Sequence, residues 1–425
     1  MTDPDQAWCA PVATGRLAAV VQLPGSKSLT NRALILAALS SGPTRITAPL
    51  RARDTELMAG ALSALGVEVQ PDGLDWLVRP GPLHGGTVDC GLAGTVMRFV
   101  PPLAALAVGD TAFDGDPAAR VRPMGTLLTA LRQAGAVISD EAGRLPFTVQ
   151  GAGGLAGGRI ELDFSASSQF VSALLLAAAR FEQGADLRHT GPALPSLPHI
   201  EMTLAAVAEA GGKVEAVSDR QWLVAPGTLD LPDQVIEPDL SNAAPFLAAA
   251  LVTGGAVTVP HWPAQTNQPG ALLPELLTRM GATAELDERG LTVTGTGSIA
   301  PLVADLHEAS ELTPVLAALC ALADGECRIS GVAHIRGHET DRLAALRAEL
   351  TAIGSAVTET DDGLVIRPAP LRPAPWHAYG DHRMAQAGAL LGLAVAGLTV
   401  DDIGSTSKTL ADFPGLWAAM LEQSA

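Results

Sequence analysis

Several stretches of this sequence set cationic, hydroxyl or carboxylate side chains where a helix is about to begin. In LPGSKSLTNRALILAAL (residues 23–39), Lys27, Ser28 and Arg32 fall in a loop and the first turn of a helix expected from about Ser28 to Gly42. Unpaired N–H groups and the helix dipole at such a place favour an anion. DCGLAGTVMRF (89–99) brings Gly91 and Gly94, which open the backbone, with Arg98 one turn later. DGDPAARVRPMG (114–125) puts Arg120 and Arg122 ahead of Pro123 at another helix start. Arginine suits carboxylate or phosphate because its planar fork donates two parallel hydrogen bonds. DFSASSQF (163–170) adds Ser165, Ser167, Ser168 and Gln169, and LPSLPHI (194–200) adds Ser196 and His199. These read either as capping groups with spare hydroxyls or as phosphate donors.

The second half carries its own set. GVAHIRGHETDRL (331–343) is dense in His334, Arg336, His338, Glu339, Asp341 and Arg342; YGDHRM (379–384) has Asp381, His382 and Arg383; GSTSK (404–408) ends on Lys408; Glu311 opens a helical run in SELTPV. A capping Thr340 with a surface ion network is the plain reading of the first of these. No metal is expected there, because the HE of HETDR lacks the second histidine of H-E-x-x-H. Nor is Gly25-Ser26-Lys27-Ser28 a P-loop, since the glycine directly before the lysine and the one five residues upstream are missing. Together the groups point to a cleft between two domains that takes one or two small anions.

Composition narrows the partners. The 425 residues carry 27 Lys+Arg against 45 Asp+Glu, a formal net charge of −18, with 4% aromatics and one tyrosine. Nucleic-acid binding needs clustered cations and stacking platforms, so it is excluded, and an anionic membrane surface would be repelled. Small anions are not excluded. Only Lys27, Lys213 and Lys408 are lysines, and two of these three lie in the motifs above. The apolar runs 242–260 and 384–400 are broken by Gly and Pro and do not span a bilayer. The start, MTDPDQAW, lacks the basic and apolar regions of a signal peptide. Cys9, Cys90, Cys320 and Cys327 form no C-x-x-C, so reduced thiols in a cytoplasmic protein are expected.

Positioning these groups requires a repeated scaffold. An Ala/Leu helical run, a glycine and an alternating strand recur at Gly42, Gly109, Gly184, Gly255, Gly325 and Gly397. A second phrase, as in ALGVEV, recurs at Gly66, Gly135, Gly211, Gly281 and Gly354. The period is about seventy residues. Glycine past a helix end takes the left-handed conformation, and the β-branched residues after it read as strands. Six α/β units of βαβαββ type are expected, with WLVRP and FTVQG among their further strands, grouped three to a domain. The acidic, Pro-containing segment 228–239 and the segment Leu23–Gly25 mark chain crossings, giving domains 1–24 plus 237–425 and 25–236.

LPGSKSLTNRALILAAL, GLAGTVMR, DGDPAARVRP, SASSQF, HETDR, DHRMA and KTLADFP, in this order, resemble the 3-phosphoshikimate 1-carboxyvinyltransferases (EPSP synthases) of the enolpyruvyl transferase family. The resemblance implies a two-domain, inside-out α/β barrel-like fold that closes on its substrates. It implies transfer of the enolpyruvyl group of phosphoenolpyruvate to the 5-hydroxyl of shikimate 3-phosphate by addition and elimination, without metal or organic cofactor, and inhibition by glyphosate. Carried over residue by residue, Lys27, Gly94, Arg122, Gln169, Arg342, Arg383 and Lys408 resemble the phosphoenolpyruvate cradle. Lys27, Ser28, Arg32, Ser167, Ser168, Gln169, Ser196, Glu311 and His338 resemble the shikimate 3-phosphate site, with Ser28 and Arg32 on its carboxylate. Glu311 would take the hydroxyl proton, and Glu339 with Lys27 would protonate the methylene carbon, with Lys408 as a further catalytic group. A monomer is expected.

Three positions depart from the family pattern: Glu311 where aspartate is usual, His338 for lysine and His199 for tyrosine. Imidazole loses its charge near neutral pH, so phosphate binding is expected to weaken as pH rises through the His338 titration. The related UDP-N-acetylglucosamine enolpyruvyl transferases carry a reactive cysteine before their Arg-Pro, and DGDPAARVRP has none. A non-catalytic anion-binding scaffold predicts missing acid/base groups, whereas Lys27, Glu311, Glu339 and Lys408 are all present.

Overall fold

A computed structural model describes residues 7–194 and 196–423; residues 1–6, which hold most of the segment read for a signal peptide, lie outside it. The chain separates into two compact units, one discontinuous (residues 1–24 and 237–425) and one continuous (25–236).

Each unit is built around three helices. In the continuous unit these are Lys27–Leu39, Gly94–Leu106 and Ser168–Ala178, packed on one another. In the discontinuous unit they are Leu240–Thr253, Thr313–Ala321 and His382–Gly392. The reason is in their composition: a helix apolar all round has no face to give to water and must be enclosed. Ser168–Ala178 buries ten of its eleven residues. Truncating Leu174 or Leu175, both 0% exposed, to alanine costs about 2–5 kcal/mol.

Six small mixed sheets flank these helices. In the repeat that fills residues 158–224, Gly158–Leu162 runs parallel to Ala185–His189, which pairs antiparallel with Gln221–Val224, itself antiparallel to Val214–Ser218. The same strand order recurs in five sheets. All five second-phrase glycines lie at positive φ, from 79° at Gly211 to 113° at Gly354. The first phrase is less uniform: Gly109, Gly184 and Gly397 have positive φ, whereas Gly42, Gly255 and Gly325 do not, and Gly254 rather than Gly255 caps its helix in the left-handed region.

Two features differ from a row of identical βαβαββ repeats. Strand Ala18–Val20 precedes helix Lys27–Leu39 in sequence but pairs in parallel with Ala256–Val259. Gln234–Val235 precedes helix Leu240–Thr253 yet pairs in parallel with Thr44–Thr47. The two leading strands are thus exchanged between sheets. The sixth repeat has no closing hairpin among the described residues; Trp8–Cys9 pairs antiparallel with Thr399–Val400 in its place. Gly25, first residue of the continuous unit, is required by close approach, since a Cβ there would lie 2.2 Å from the Ala48 carbonyl oxygen.

All four cysteines are free thiols, with Cys9 exposed and the others buried. No helix among the described residues is long and apolar enough to cross a membrane.

Candidate active site

In the continuous unit the first turns of four helices are tied together by side chains. Asn31 Nδ2 donates to Thr95 Oγ1 at 2.8 Å, Arg98 Nη1 to Gln169 Oε1 at 3.1 Å, and Arg32 Nη2 to the His199 carbonyl at 2.9 Å. Ser26 caps helix Lys27–Leu39, so Lys27 is its first residue, and its Nζ lies 3.3 Å from Asp54 Oδ2. Asp54 is 1% exposed, and its Oδ1 has no hydrogen-bond partner among the described residues. Sequence reading passes over it, because RDTELM looks like an ordinary helix start with acids on the dipole.

Arg32 is buried. Its Nε donates to Thr203 Oγ1 at 2.8 Å, its Nη1 to the Ser28 carbonyl at 3.0 Å, and it stands over the Phe99 ring. Burial pulls its pKa down to about 9, which leaves it cationic at neutral pH. These three bonds commit three of its five N–H groups, so a carboxylate could meet at most two.

Gly94 begins helix Gly94–Leu106, and the space a Cβ would fill is taken by guanidinium groups: Arg98 Nη1 at 2.7 Å and Arg122 Nη1 and Nη2 at 3.2 and 3.3 Å. Arg122 Nε is buried with no hydrogen-bond partner among the described residues. Two cations and an amide converging over a helix N-terminus form an anion cradle. Arg120 stands apart, held by Asp114 at 2.8 and 2.7 Å on the surface. Ser167 is the N-cap of Ser168–Ala178, with Ser168 buried beside it. Ser196 precedes Leu197–Glu209 at φ 54°, and its side chain makes no capping bond.

In the discontinuous unit a chain of charge runs through buried groups. Asp381, the N-cap of His382–Gly392, takes both arms of Arg342: Nε to Oδ2 at 2.7 Å and Nη2 to Oδ1 at 3.1 Å. Arg342 Nη2 also donates to Glu339 Oε2 at 3.0 Å and its Nη1 meets His338 Nδ1 at 3.0 Å. Glu339 Oε1 accepts from Lys408 Nζ. Burial works against the Arg342 charge, but Asp381 and Glu339 outweigh it and raise its pKa. An arginine donates only, so in this contact the His338 Nδ1 is placed as the acceptor. Asp341, not Thr340, caps helix Arg342–Ala352, accepting from Ala344 N at 3.1 Å. The carboxylate accepts backbone N–H more strongly than a hydroxyl would.

Glu311 sits in the 3-10 turn Ser310–Leu312, accepting from Ser241 Oγ at 3.1 Å. Burial raises its pKa; Arg383 and Ser241 pull the other way without cancelling it. Arg383 donates to the Ser241 carbonyl at 2.6 Å and to Gln386 Oε1 at 3.2 Å, and Gln386 in turn donates to Asn242 Oδ1 at 3.1 Å. Burial, with Arg342 nearby, lowers the Arg383 pKa. Ser241, Asn242 and Gln386 carry no local signature, lying in the alanine-rich runs LSNAAPF and MAQAGAL. The rings of His334 and His338 are 6.0 Å apart, and no cluster of three His, Cys, Asp or Glu among the described residues is placed to hold a metal ion.

Each unit thus has a three-helix core flanked by mixed sheets, with charged side chains gathered at the helix starts. The fold superposes on EPSP synthase from Acinetobacter baumannii with a TM-score of 0.77 at 23% identity over 96% of each chain. It matches the enolpyruvyl transferase NikO from Streptomyces tendae at 0.77 and 19% over 98% of each. The sequence profile of EPSP synthase (3-phosphoshikimate 1-carboxyvinyltransferase) matches residues 12–417. A 3-phosphoshikimate 1-carboxyvinyltransferase from Kocuria rhizophila is 51% identical over 98% of this chain and 97% of its own length. The chain belongs to the EPSP synthase family.

Proposed function

We infer that this chain acts as its family does: it transfers the enolpyruvyl group of phosphoenolpyruvate to the 5-hydroxyl of shikimate 3-phosphate and releases phosphate. The roles of individual residues are our proposal. Glu311 takes the proton of the 5-hydroxyl as that oxygen adds to C2 of phosphoenolpyruvate. The methylene carbon gains a proton from Glu339, which draws on the Lys408 ammonium hydrogen-bonded to it, or from Lys27. Loss of a proton from the new methyl group then expels phosphate, and the acid and base exchange tasks.

Arg122 and Gln169 around Gly94, with Lys27, Arg342, Arg383 and Lys408, hold phosphoenolpyruvate and the leaving phosphate. Arg98 joins them, since it shares the Gly94 space with Arg122. Shikimate 3-phosphate is held by Lys27, Ser28, Arg32, Ser167, Ser168, Gln169, Ser196, Glu311 and His338. The reading is of a monomer that needs neither metal nor organic cofactor.

The observation that carries it is Glu311, a partly buried carboxyl raised above its ordinary value and beside the Arg383 cation, as a base facing an anionic substrate requires. Phosphate release measured with both substrates tests it, with Lys27→Met and Glu311→Ala alongside. Release by the parent and its loss in both variants is expected. Full release by Glu311→Ala would overturn the assignment of the base.

A further inference from the structure

The turn that leads into Asp381 is built from an unfavourable residue. Asp381 N donates to the Ala378 carbonyl at 2.9 Å, and the two residues between them, Tyr379 and Gly380, have φ of 56° and 66°. Left-handed φ at both central positions is the pattern of a type I′ turn, where glycine, asparagine and aspartate fit and an aromatic residue does not. Tyr379 is the one tyrosine in the chain. Its phenol Oη donates to Glu349 Oε1 at 2.6 Å. Glu349 is 3% exposed, and its other oxygen accepts from His377 N at 3.0 Å. Across the turn, Asp401 accepts from Ala378 N at 2.8 Å and pairs with the His377 ring at 2.7 Å. No step of the transfer reaction uses these four side chains.

Glu349 lies on helix Arg342–Ala352, whose first residue is Arg342. The helix is therefore fastened to the 377–381 segment twice, by Arg342 to Asp381 at its start and by Glu349 to Tyr379 and His377 two turns on. Packing of Leu343, Leu346 and Leu350, all 0% exposed, already seats the helix, and the second fastening adds a polar tie that sets its fine position. A turn kept strained where asparagine would relax it is explained when the phenol is what reaches the helix.

We propose that Tyr379 is a positioning residue for phosphoenolpyruvate: through Glu349 its hydroxyl sets the helix that presents Arg342, and so the guanidinium that meets the substrate anion. The inference rests on the assignment of Arg342 to phosphoenolpyruvate made above. Tyr379→Phe removes the hydroxyl alone, and Tyr379→Asn removes it while relieving the turn. Both are expected to raise KM for phosphoenolpyruvate about three- to tenfold, the span of one lost hydrogen bond, with kcat and KM for shikimate 3-phosphate within about twofold of the parent. Glu349→Gln keeps an acceptor for the phenol and is expected to retain most of the parent's affinity. A merely structural tyrosine would lower the active fraction, and so apparent kcat, leaving both KM values alone; that result, or an equal rise in both, overturns the proposal. Arg342→Lys, measured in parallel, separates the two levels. If it leaves KM for phosphoenolpyruvate unchanged the site assignment fails, whereas if it raises KM and Tyr379→Phe does not, only the positioning role fails.

Discussion

Asp54 holds its carboxylate 3.3 Å from the ammonium of Lys27 although its own side chain is only 2% exposed. A carboxylate withdrawn from water is kept where a cation must be aimed, and the short reach of aspartate fixes that aim. Replacing it by asparagine keeps the shape and removes the charge. Asp54→Asn is expected to lower kcat about 10²-fold with little change in melting temperature, measured by phosphate release and thermal unfolding. A variant as active as the parent would show that Lys27 needs no aim from Asp54.

Glu311 must be ionised to accept a proton, so activity is expected to fall as pH drops through its raised pKa, and the acidic limb of the pH–kcat profile should lie above the range of an ordinary glutamate. Ser241 donates to the ionised form, so Ser241→Ala should move that limb to still higher pH. The same shift touches stability. A carboxyl whose pKa is raised on folding favours the native state below the unfolded value, near 4.5, and loses that contribution as pH rises through the folded value. Glu311→Gln is therefore expected to raise the melting temperature at pH 7 and to leave it unchanged near pH 4, while abolishing turnover. A limb unmoved by Ser241→Ala would count against the base.

How far the sequence reaches is set by the range of each interaction. Lys27, Gly94, Arg122 and Arg383 are legible because an anion site at a helix start is local, its cation and its glycine lying within a few residues. The repeat is legible for the same reason, as a glycine that ends a helix does so through its own φ. Asp54 and Ser241 are not legible, since what ties them to the proposed site is a partner 27 residues away for one and 70 for the other. The exchanged strands Ala18–Val20 and Gln234–Val235 are invisible too: each sits in sequence where the repeat expects it, and only long-range pairing reveals which sheet takes it. Thr340 was a near miss for the cap, displaced by one residue because Asp341 is the stronger acceptor.

Gly94 has no positive φ, so alanine suits its backbone and only space opposes it. The new Cβ would lie 2.7 Å from Arg98 Nη1 and 3.2 Å from Arg122 Nη1, both ends of flexible side chains that can shift. Gly94→Ala should therefore fold as well as the parent or better by about 0.5–1 kcal/mol while displacing the cradle. The shift of Arg98 and Arg122 is expected to raise KM for phosphoenolpyruvate about tenfold, with KM for shikimate 3-phosphate unchanged. Steady-state kinetics with each substrate varied decides it; equal effects on both would place phosphoenolpyruvate elsewhere.

The expectation that His338 binds phosphate through a titrating charge meets a contrary geometry. Its Nδ1 accepts from Arg342 at 3.0 Å, which an imidazolium could not do. With Nδ1 placed as the acceptor, the ring contributes an Nε2–H donor rather than a cation, so KM for shikimate 3-phosphate should stay flat between pH 6 and 9. His338→Gln, which keeps an N–H donor, should bind this substrate better than His338→Leu. A KM that climbs through neutral pH in the parent and not in His338→Gln would restore the charged reading.

Arg342 and Asp381 are 3% and 0% exposed, and their two hydrogen bonds join a helix start to a helix cap. Removing Asp381 leaves Arg342 buried with Glu339 as its remaining carboxylate partner, and breaking a buried pair in this way costs about 3–5 kcal/mol. Asp381→Ala should thus lower the melting temperature by about 6–20 °C as well as abolish turnover. These two losses have separate causes. A buried ion pair replaced at both ends by apolar residues of similar size often recovers stability, because neither charge then has to be desolvated. Arg342→Met with Asp381→Leu is therefore expected to regain most of the lost melting temperature and none of the activity, as followed by thermal unfolding and phosphate release. If the double variant melts as low as Asp381→Ala, the pair is needed for the fold beyond its charge balance; if it turns over substrate, Arg342 is not the anion's anchor.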